Sequence, residues 1–361
     1  MTMSTPSEPK YRAIAHELLR QIRETMKVGS MLPPEKELAA RFNVHVLTIG
    51  KALRALQEWG VIERRRAVGT RVVNPMGGSW VCILCEMNVF SPSSRSLFHR
   101  GVIYHLRHFL TEAGLPSRVS IGESEPGAES GHFTSLDFVG DLEAGRLAGV
   151  LGLSTDAEPW WIQKLKRQGV PIVGSNPTFP DYVLYDVWED LNKAIRCLID
   201  QGRSRIAYIG WEKSARGHLA DLARCYPVTI RDEWIKDDLH PVRPGAGWEE
   251  FREIWSAPGE KPDALVLENE HQLPDIARAV AELGLSIPGD LLLLSHRTRG
   301  NEWAPPFPVI FQETDPQLYA WRMAEHFLRL YRGEAVASHA VVAPRFFCGE
   351  SLRIFEKKLG N

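Results

Sequence analysis

From Trp80 onward the chain alternates short, nearly uniform apolar runs with amphipathic stretches at helical spacing, and this alternation limits the possible folds more than any other feature of its 361 residues. VCIL is followed by a helical pattern around Gly101 to Ala113, and GVLGL by one around Trp160 to Gln168. PIVGS leads through Tyr182-Val183-Leu184-Tyr185-Asp186 into a helix from Glu189 to Gln201. RIAYIG, ALVLEN with its helix to Leu283, and DLLLLS continue the series. A strand that is apolar at every position has no face to give to water and must be covered on both sides. Repeated strand-helix units of this kind predict parallel sheets flanked by helices.

The first 75 residues follow different rules. Lys10 to Met26 is an amphipathic helix with Tyr11, Ile14, Leu18, Ile22 and Met26 on one face. Leu32-Pro33-Pro34-Glu35 marks the start of a second helix, because proline's fixed φ suits a first turn whose N–H groups have no partner. That helix ends at Phe42; Asn43-Val44 follow, asparagine tolerating the left-handed conformation of a tight turn. A third helix runs from about Leu47 to Trp59, and Gly60 sits where a C-terminal cap belongs. Val61-Ile62-Glu63 and Thr70-Arg71-Val72-Val73 alternate as two short strands around Arg64-Arg65-Arg66-Ala67-Val68-Gly69, a hairpin with a cationic tip. Three short helices and a hairpin predict a winged helix-turn-helix, mostly α with a β-wing.

Charge separates the same two regions. Residues 1 to 75 hold 13 Lys and Arg against 7 Glu and no Asp, while the remainder holds 30 against 38 acidic residues. A basic head on an acidic body directs phosphate contact to the head. The joint, expected at 76–79, contains Met76-Gly77-Gly78-Ser79, and the body is expected over 80–361. No apolar run approaches the roughly 20 residues needed to span a bilayer. The N-terminus MTMSTPSEPK lacks the apolar segment of a secretory signal, which predicts a cytoplasmic protein. Five cysteines, an odd number, are expected there as free thiols.

The order of Lys10-Tyr11, LPPEKELA, the turn at Phe42-Asn43-Val44, Lys51-Ala52-Leu53 and the wing closing at Gly69-Thr70 resembles the GntR family of bacterial transcription regulators. By that resemblance the helix after the turn enters the DNA major groove and the wing touches the minor groove or backbone. Lys36, His45, Leu47, Thr48, Arg64, Arg65, Arg66 and Gly69 then face double-stranded operator DNA. The chain departs from the family at Val46 and Gly50, where arginines usually stand. Arginine is the commonest bidentate reader of guanine, so its absence shifts weight to the wing, whose phosphate contacts set position rather than sequence.

The body resembles the effector domain of the lactose-repressor family, a two-lobed α/β type I periplasmic-binding-protein-like fold with parallel sheets. The resemblance is clearest in GVPIVGSNP, LIDQGRSRIAYIG, AVAELGLSIPGDLLLLS and PRFFCGESL. A GntR head on such a body is the arrangement of the arabinose-responsive regulators. The resemblance implies a homodimer with a small-molecule effector, a sugar or acidic sugar derivative, between the two lobes. It places Asn88, Phe90, Asn176, Arg216, Trp248, Asn269, His271, Arg297 and Gln312 at that cleft. Amides and guanidinium fix hydroxyls, and an indole face covers C–H patches. After DLLLLS the family usually carries an aspartate, where this chain reads Ser295-His296-Arg297. Either Arg297 selects an anionic ligand, or it pairs internally with Glu268, Glu270 or Glu302.

Other signals point to packing. Cys82-Ile83-Leu84-Cys85 has metal or redox spacing but lies on a predicted buried strand with no second pair. His99, His105 and His108 crowd one helix without an i,i+4 pair. No G-x-S-x-G, Walker or dinucleotide fingerprint occurs, and no metal, cofactor or catalytic residue is expected. The leading expectation is a ligand-controlled DNA-binding regulator, with repressor favoured by the resemblance and no enzymatic activity. Competing readings are a regulator fused to a catalytic domain, a winged helix used for protein contact, and a plain solute-binding protein.

Overall fold

The computed structural model describes residues 9–65, 68–74, 77–90, 96–124, 135–155, 159–210, 215–237, 247–343 and 345–347. The head comprises α1 (Lys10–Thr25), α2 (Glu35–Arg41), α3 (Val46–Glu58) and the hairpin β1 (Ile62–Arg65) with β2 (Gly69–Val72). β1 and β2 pair antiparallel with Ile62 opposite Val72. Its core includes Ile14, Leu18 and Ile22 from the predicted face of α1, with Tyr11 and Met26 packed at its margin, Leu38 and Ala39 from α2, and Ile49, Leu53 and Leu56 from α3. The α2–α3 turn closes because Asn43 takes φ 49°.

The body begins with β3 (Trp80–Met87), α4 (Leu97–Glu112), β4 (Ser117–Ser124), α5 (Leu136–Glu143), β5 (Leu147–Leu153), α6 (Pro159–Arg167), β6 (Ile172–Gly174) and β7 (Tyr182–Tyr185). It continues through α7 (Val187–Asp200), β8 (Ile206–Ile209), α8 (Ala215–Cys225), β9 (Ile235–Lys236), α9 (Trp248–Ser256), β10 (Ala264–Leu267) and α10 (Leu273–Glu282). β11 (Leu292–Thr298), β12 (Val309–Thr314), α11 (Pro316–Tyr331), β13 (His339–Val342) and β14 (Arg345–Phe347) complete the described elements.

Two six-stranded sheets form, in the orders β13-β7-β6-β5-β3-β4 and β14-β12-β11-β10-β8-β9. Helices cover both faces of each, as the apolar strands require: β3 is buried almost throughout and β5 along its whole length. The first lobe packs α4 and α11 on one face, with Val102, Leu106 and Phe327. It packs α5 and α6 on the other, with Phe138 and Trp161. The second lobe has the same two-sided arrangement, α9 and α10 against one face and α7 and α8 against the other. Side chains therefore approach some strands with no room for a Cβ; one on Gly152 would lie 2.3 Å from the Phe179 ring.

The chain crosses between lobes at β7 to α7, at β12 to α11 and at β13 to β14. The sheets are parallel as expected, except that β14 returns antiparallel along β12 after the last crossing. β4 was also not anticipated; its alternation of Ser117, Arg118, Ser120 and Glu123 with Val119 and Ile121 is that of an edge strand rather than an apolar run. Cys82, Cys85 and Cys225 are free, but Cys197 is disulfide-bonded, against the expectation of free thiols throughout. Cys348 lies outside the described residues. Burial pushes the Cys82 and Cys85 thiols up to about 12, which suits core packing.

Candidate DNA-binding head and ligand cleft

α3 starts at His45, whose Nδ1 accepts the Leu47 N–H at 3.2 Å. With Nδ1 as acceptor, the neutral imidazole carries its proton on Nε2, leaving a donor for a DNA contact. Leu47 is 72% exposed beside it, Thr48 is half-buried, and Lys36 is exposed in the first turn of α2. The helix start thus has an apolar contact surface and a histidine donor, but no arginine.

The wing supplies the missing cation from another direction. Arg64 reaches the Glu35 carboxylate at the start of α2. The same carboxylate lies 3.7 Å from where a Gly50 Cβ would be. Arg64 is thus anchored on α2 through a carboxylate that borders Gly50. Arg65 lies against Glu63 at 3.0 Å, and Arg71 shares that carboxylate at 3.1 Å. Such exposed pairs contribute little and release readily to a phosphate. Gly69 closes the wing at φ +117°, where a side chain would be strained. Arg66 lies outside the described residues.

In the body, the expected ligand residues cluster after the carboxyl ends of the parallel strands, the end at which open α/β sheets bind ligands. On the first lobe, Asn88 after β3 donates to Glu123 at 3.3 Å, and its Oδ1 accepts the Phe90 N–H. Phe90 itself is 68% exposed. Asn176 after β6 donates to the Thr155 carbonyl at 2.9 Å. On the second lobe, Asn269 is buried after β10 and caps the following turn by accepting the His271 N–H at 2.9 Å.

Sequence reasoning set aside His99, which the fold buries. His99, in the first turn of α4, sits between Ser96 Oγ at 2.5 Å and Ser154 Oγ at 2.6 Å. Burial, with a lesser like-charge effect from His271, lowers the His99 pKa to about 4. The two imidazoles are thus electrostatic neighbours contributed by different lobes. Ser154 holds φ +42°, unusual for a non-glycine residue, and directs its hydroxyl to His99. The sequence signal was the serine N-cap of α4 with a histidine three positions on. Beyond Asn269, the buried Glu270 carboxylate accepts the Thr298 N–H at 2.9 Å and Asn301 Nδ2 at 2.7 Å. Burial alone would raise Glu270, but nearby His296 and these donors outweigh it and hold its pKa below the usual value.

Four expected cleft residues are engaged elsewhere. Arg297 pairs with Glu313 at 2.7 Å and lies 4.5 Å from the Phe311 ring centroid. The parallel register places Arg297 opposite Glu313, so its partner is none of the three carboxylates considered from sequence. Arg216 is held by Asp232 at 2.8 Å and Asp237 at 3.1 Å within the second lobe. Trp248 runs along α10: its Nε1 donates to Glu282 at 2.9 Å, at the end of that helix away from Asn269, and Arg252 and Arg278 cover its ring. Gln312 is buried at the lobe crossing and donates to the Asp190 carbonyl at 2.7 Å. Asn269 and His271 follow β10 on the second lobe, while Asn88 and Asn176 follow β3 and β6 on the first; Arg216 and Trp248 are held by partners within the second lobe.

Comparison with known proteins assigns both parts. Residues 10–72 match the model "Bacterial regulatory proteins, gntR family", and residues 195–351 match "Periplasmic binding protein-like domain". In Escherichia coli (strain K12), "Probable transcriptional regulator PhnF" is 38% identical over 72 residues, 20% of this chain and 30% of that protein. "HTH-type transcriptional regulator GgaR" of the same organism is 32% identical over 73 residues, 20% of this chain and 29% of that protein. The chain thus spans less than a third of the length of these curated relatives, and the match is to the head.

Among solved structures, the "transcriptional regulator CelR-cellobiose complex" aligns with TM-score 0.58 at 20% identity, covering 88% of this chain and 98% of that one. A LacI family transcriptional regulator from Bifidobacterium animalis subsp. lactis aligns with TM-score 0.59 at 16% identity, covering 74% and 95%. At these identities the likeness is one of fold. The chain carries a gntR-family helix-turn-helix domain ahead of a periplasmic-binding-protein-like domain. A DNA-binding domain joined to a ligand-binding domain is the make-up of a transcriptional regulator. No helix among the described residues is long and apolar enough to cross a membrane.

Proposed function

We propose that this chain is a cytoplasmic, homodimeric repressor whose DNA affinity is set by a neutral carbohydrate bound between its lobes. Residues 1–75 act as the reading head, 76–79 as the joint, and 80–361 as the effector-binding and dimerisation body. The observation that supports the proposal is the set of amides and imidazoles that follow the carboxyl ends of the strands, Asn88 and Asn176 on one lobe and Asn269 with His271 on the other. Amides and neutral imidazoles provide both donors and acceptors, which suits vicinal hydroxyls. The Arg297–Glu313 pair favours a neutral sugar over a sugar acid, since the guanidinium already has its counter-charge. The cellobiose named with one fold neighbour points to the same ligand class.

Binding across the cleft favours whichever lobe arrangement satisfies both sets of groups. An effector alters DNA affinity only through its differential affinity for the two arrangements. The lobe crossings transmit that difference, and a dimer converts it into a changed separation of two heads over paired half-sites. Lys36, His45, Leu47, Thr48, Arg64, Arg65, Arg66 and Gly69 form the DNA face in this reading. No catalytic step is assigned to the body.

A thermal-shift screen of paired neutral sugars and sugar acids on the full chain tests the ligand, followed by DNA titration with and without the hit. A neutral mono- or disaccharide is expected to raise the melting temperature and weaken DNA binding. Asn269→Ala is expected to lower sugar affinity by about ten- to a hundredfold, the loss of one or two buried hydrogen bonds. A screen in which only acids bind, or a bound sugar that leaves DNA affinity unchanged, contradicts the proposal.

A further inference from the structure

Where α1 rests on the first lobe, a partly open pocket of about 230 Å³ lies between Arg23 from the head and Val170, Pro171 and Tyr331 from the lobe. Nε and Nη2 of Arg23 reach neither solvent nor any hydrogen-bond acceptor. Burial lowers the Arg23 pKa and the nearby Tyr331 acts in the opposite direction, yet a guanidinium stays charged in a protein. A buried cation with unsatisfied donors is costly unless a counter-charge arrives.

His16, Gly145 and Gln168 also border an adjoining, wider cavity of about 690 Å³. Its walls carry Arg12, Lys51 and Arg54 from the head and Lys164 and Arg167 from the lobe, against Glu58 and Glu143. Arg12, Lys51, Arg54 and Lys164 make no ion pair among the described residues. His16 reports the resulting field: burial, then Arg23, Arg12 and Lys164, lower its pKa to about 4. The wide cavity draws anions in, and the inner pocket is too small for a nucleic-acid duplex but has room for a small ion.

We propose that this junction is a second binding site, distinct from the interlobe cleft, which takes a small polyanion such as a phosphate ester or a polycarboxylate onto Arg23. One wall belongs to the DNA-reading head and the other to the first lobe. An occupant therefore fastens the head to the body, independently of what the interlobe cleft binds.

The test is calorimetric titration of the full chain with inorganic phosphate and, separately, with citrate, at constant ionic strength in an otherwise anion-poor buffer. At least one is expected to bind at a single site, and comparing the two distinguishes phosphate from polycarboxylate. Arg23→Met is expected to weaken binding by about tenfold or more, the loss of charge-assisted hydrogen bonds. It is also expected to raise the melting temperature without anion, because it removes an uncompensated buried charge. Lys164→Gln, at the half-exposed rim of the wider cavity, provides an independent variant with a smaller loss of affinity and a reduced salt dependence. Absence of binding by both probes overturns the proposal. Unchanged binding in both variants overturns it too, as does binding lost in Asn269→Ala and retained in Arg23→Met, which puts the anion in the cleft.

Discussion

His45 has two jobs that can be separated. Its Nδ1 caps α3, so His45→Ala removes about 1 kcal/mol of cap stability along with any DNA contact. His45→Asn keeps a capping side chain and isolates the contact. Arg65 is the more exposed cation, with only an exposed carboxylate to leave. Arg65→Ala is expected to weaken DNA binding more than His45→Asn, uniformly across sequences, and to reduce the slope of log affinity against log salt by about 1. Gel-shift titrations at several salt concentrations measure both quantities, and the reverse ranking would return the main contact to the head of α3. Arg64 was anticipated only as one of three wing arginines. Its link through Glu35 to the neighbourhood of Gly50 depends on how β1 folds back over α2, which no local pattern encodes.

α7 begins at a lobe crossing and buries a carboxyl group in its first turn. Asp190 Oδ1 has no hydrogen-bond partner, and burial pushes its pKa up to about 7. Its backbone carbonyl meanwhile holds Gln312 on the adjacent crossing. Between its ordinary pKa of 3.8 and about 7, the folded chain holds a proton that the unfolded chain has lost. Stability therefore falls as pH rises through that window. Asp190→Asn is expected to stabilise the protein at pH 8 by roughly 1–3 kcal/mol, the cost of an unpaired buried polar group, with the gain shrinking toward pH 4. Urea denaturation at the two pH values checks this, and an equal gain at both would show that the carboxyl does not titrate with folding. The helix itself was legible from its spacing to within a turn, with Asp186 as its cap. The state of Asp190 was not, because it depends on the neighbouring crossings.

The head has its own hydrophobic core, and the two lobes have theirs. The lobes are tied by three crossings, and Tyr185 and Tyr319 stack 4.9 Å apart beside them. Independent cores joined by one linker seldom unfold in a single step. Differential scanning calorimetry is expected to resolve a head transition from a body transition. A ligand in the interlobe cleft is expected to raise the body transition alone, whereas an anion at the Arg23 junction raises both. One transition that moves as a unit with either ligand would mean that head and body unfold together.

The chain's local patterns were enough for its architecture. Periodicity, proline starts, glycine stops and Asn43 marked the three helices and hairpin of the head, and uniform apolar strands required sheets covered on both faces. These features act over a few residues through backbone sterics and burial, so they can be read along the chain. Tertiary structure decided which charged and polar groups meet. Arg297 finds Glu313 because parallel strands bring the two positions opposite one another. Trp248 lies against α10 because α9 packs there, and His99 is held by Ser154 because β5 ends beside the start of α4. A side chain's partner is fixed by strand register and lobe placement, which arise only when distant segments pack; for that reason the outline of the binding regions was visible in the sequence and their electrostatics were not.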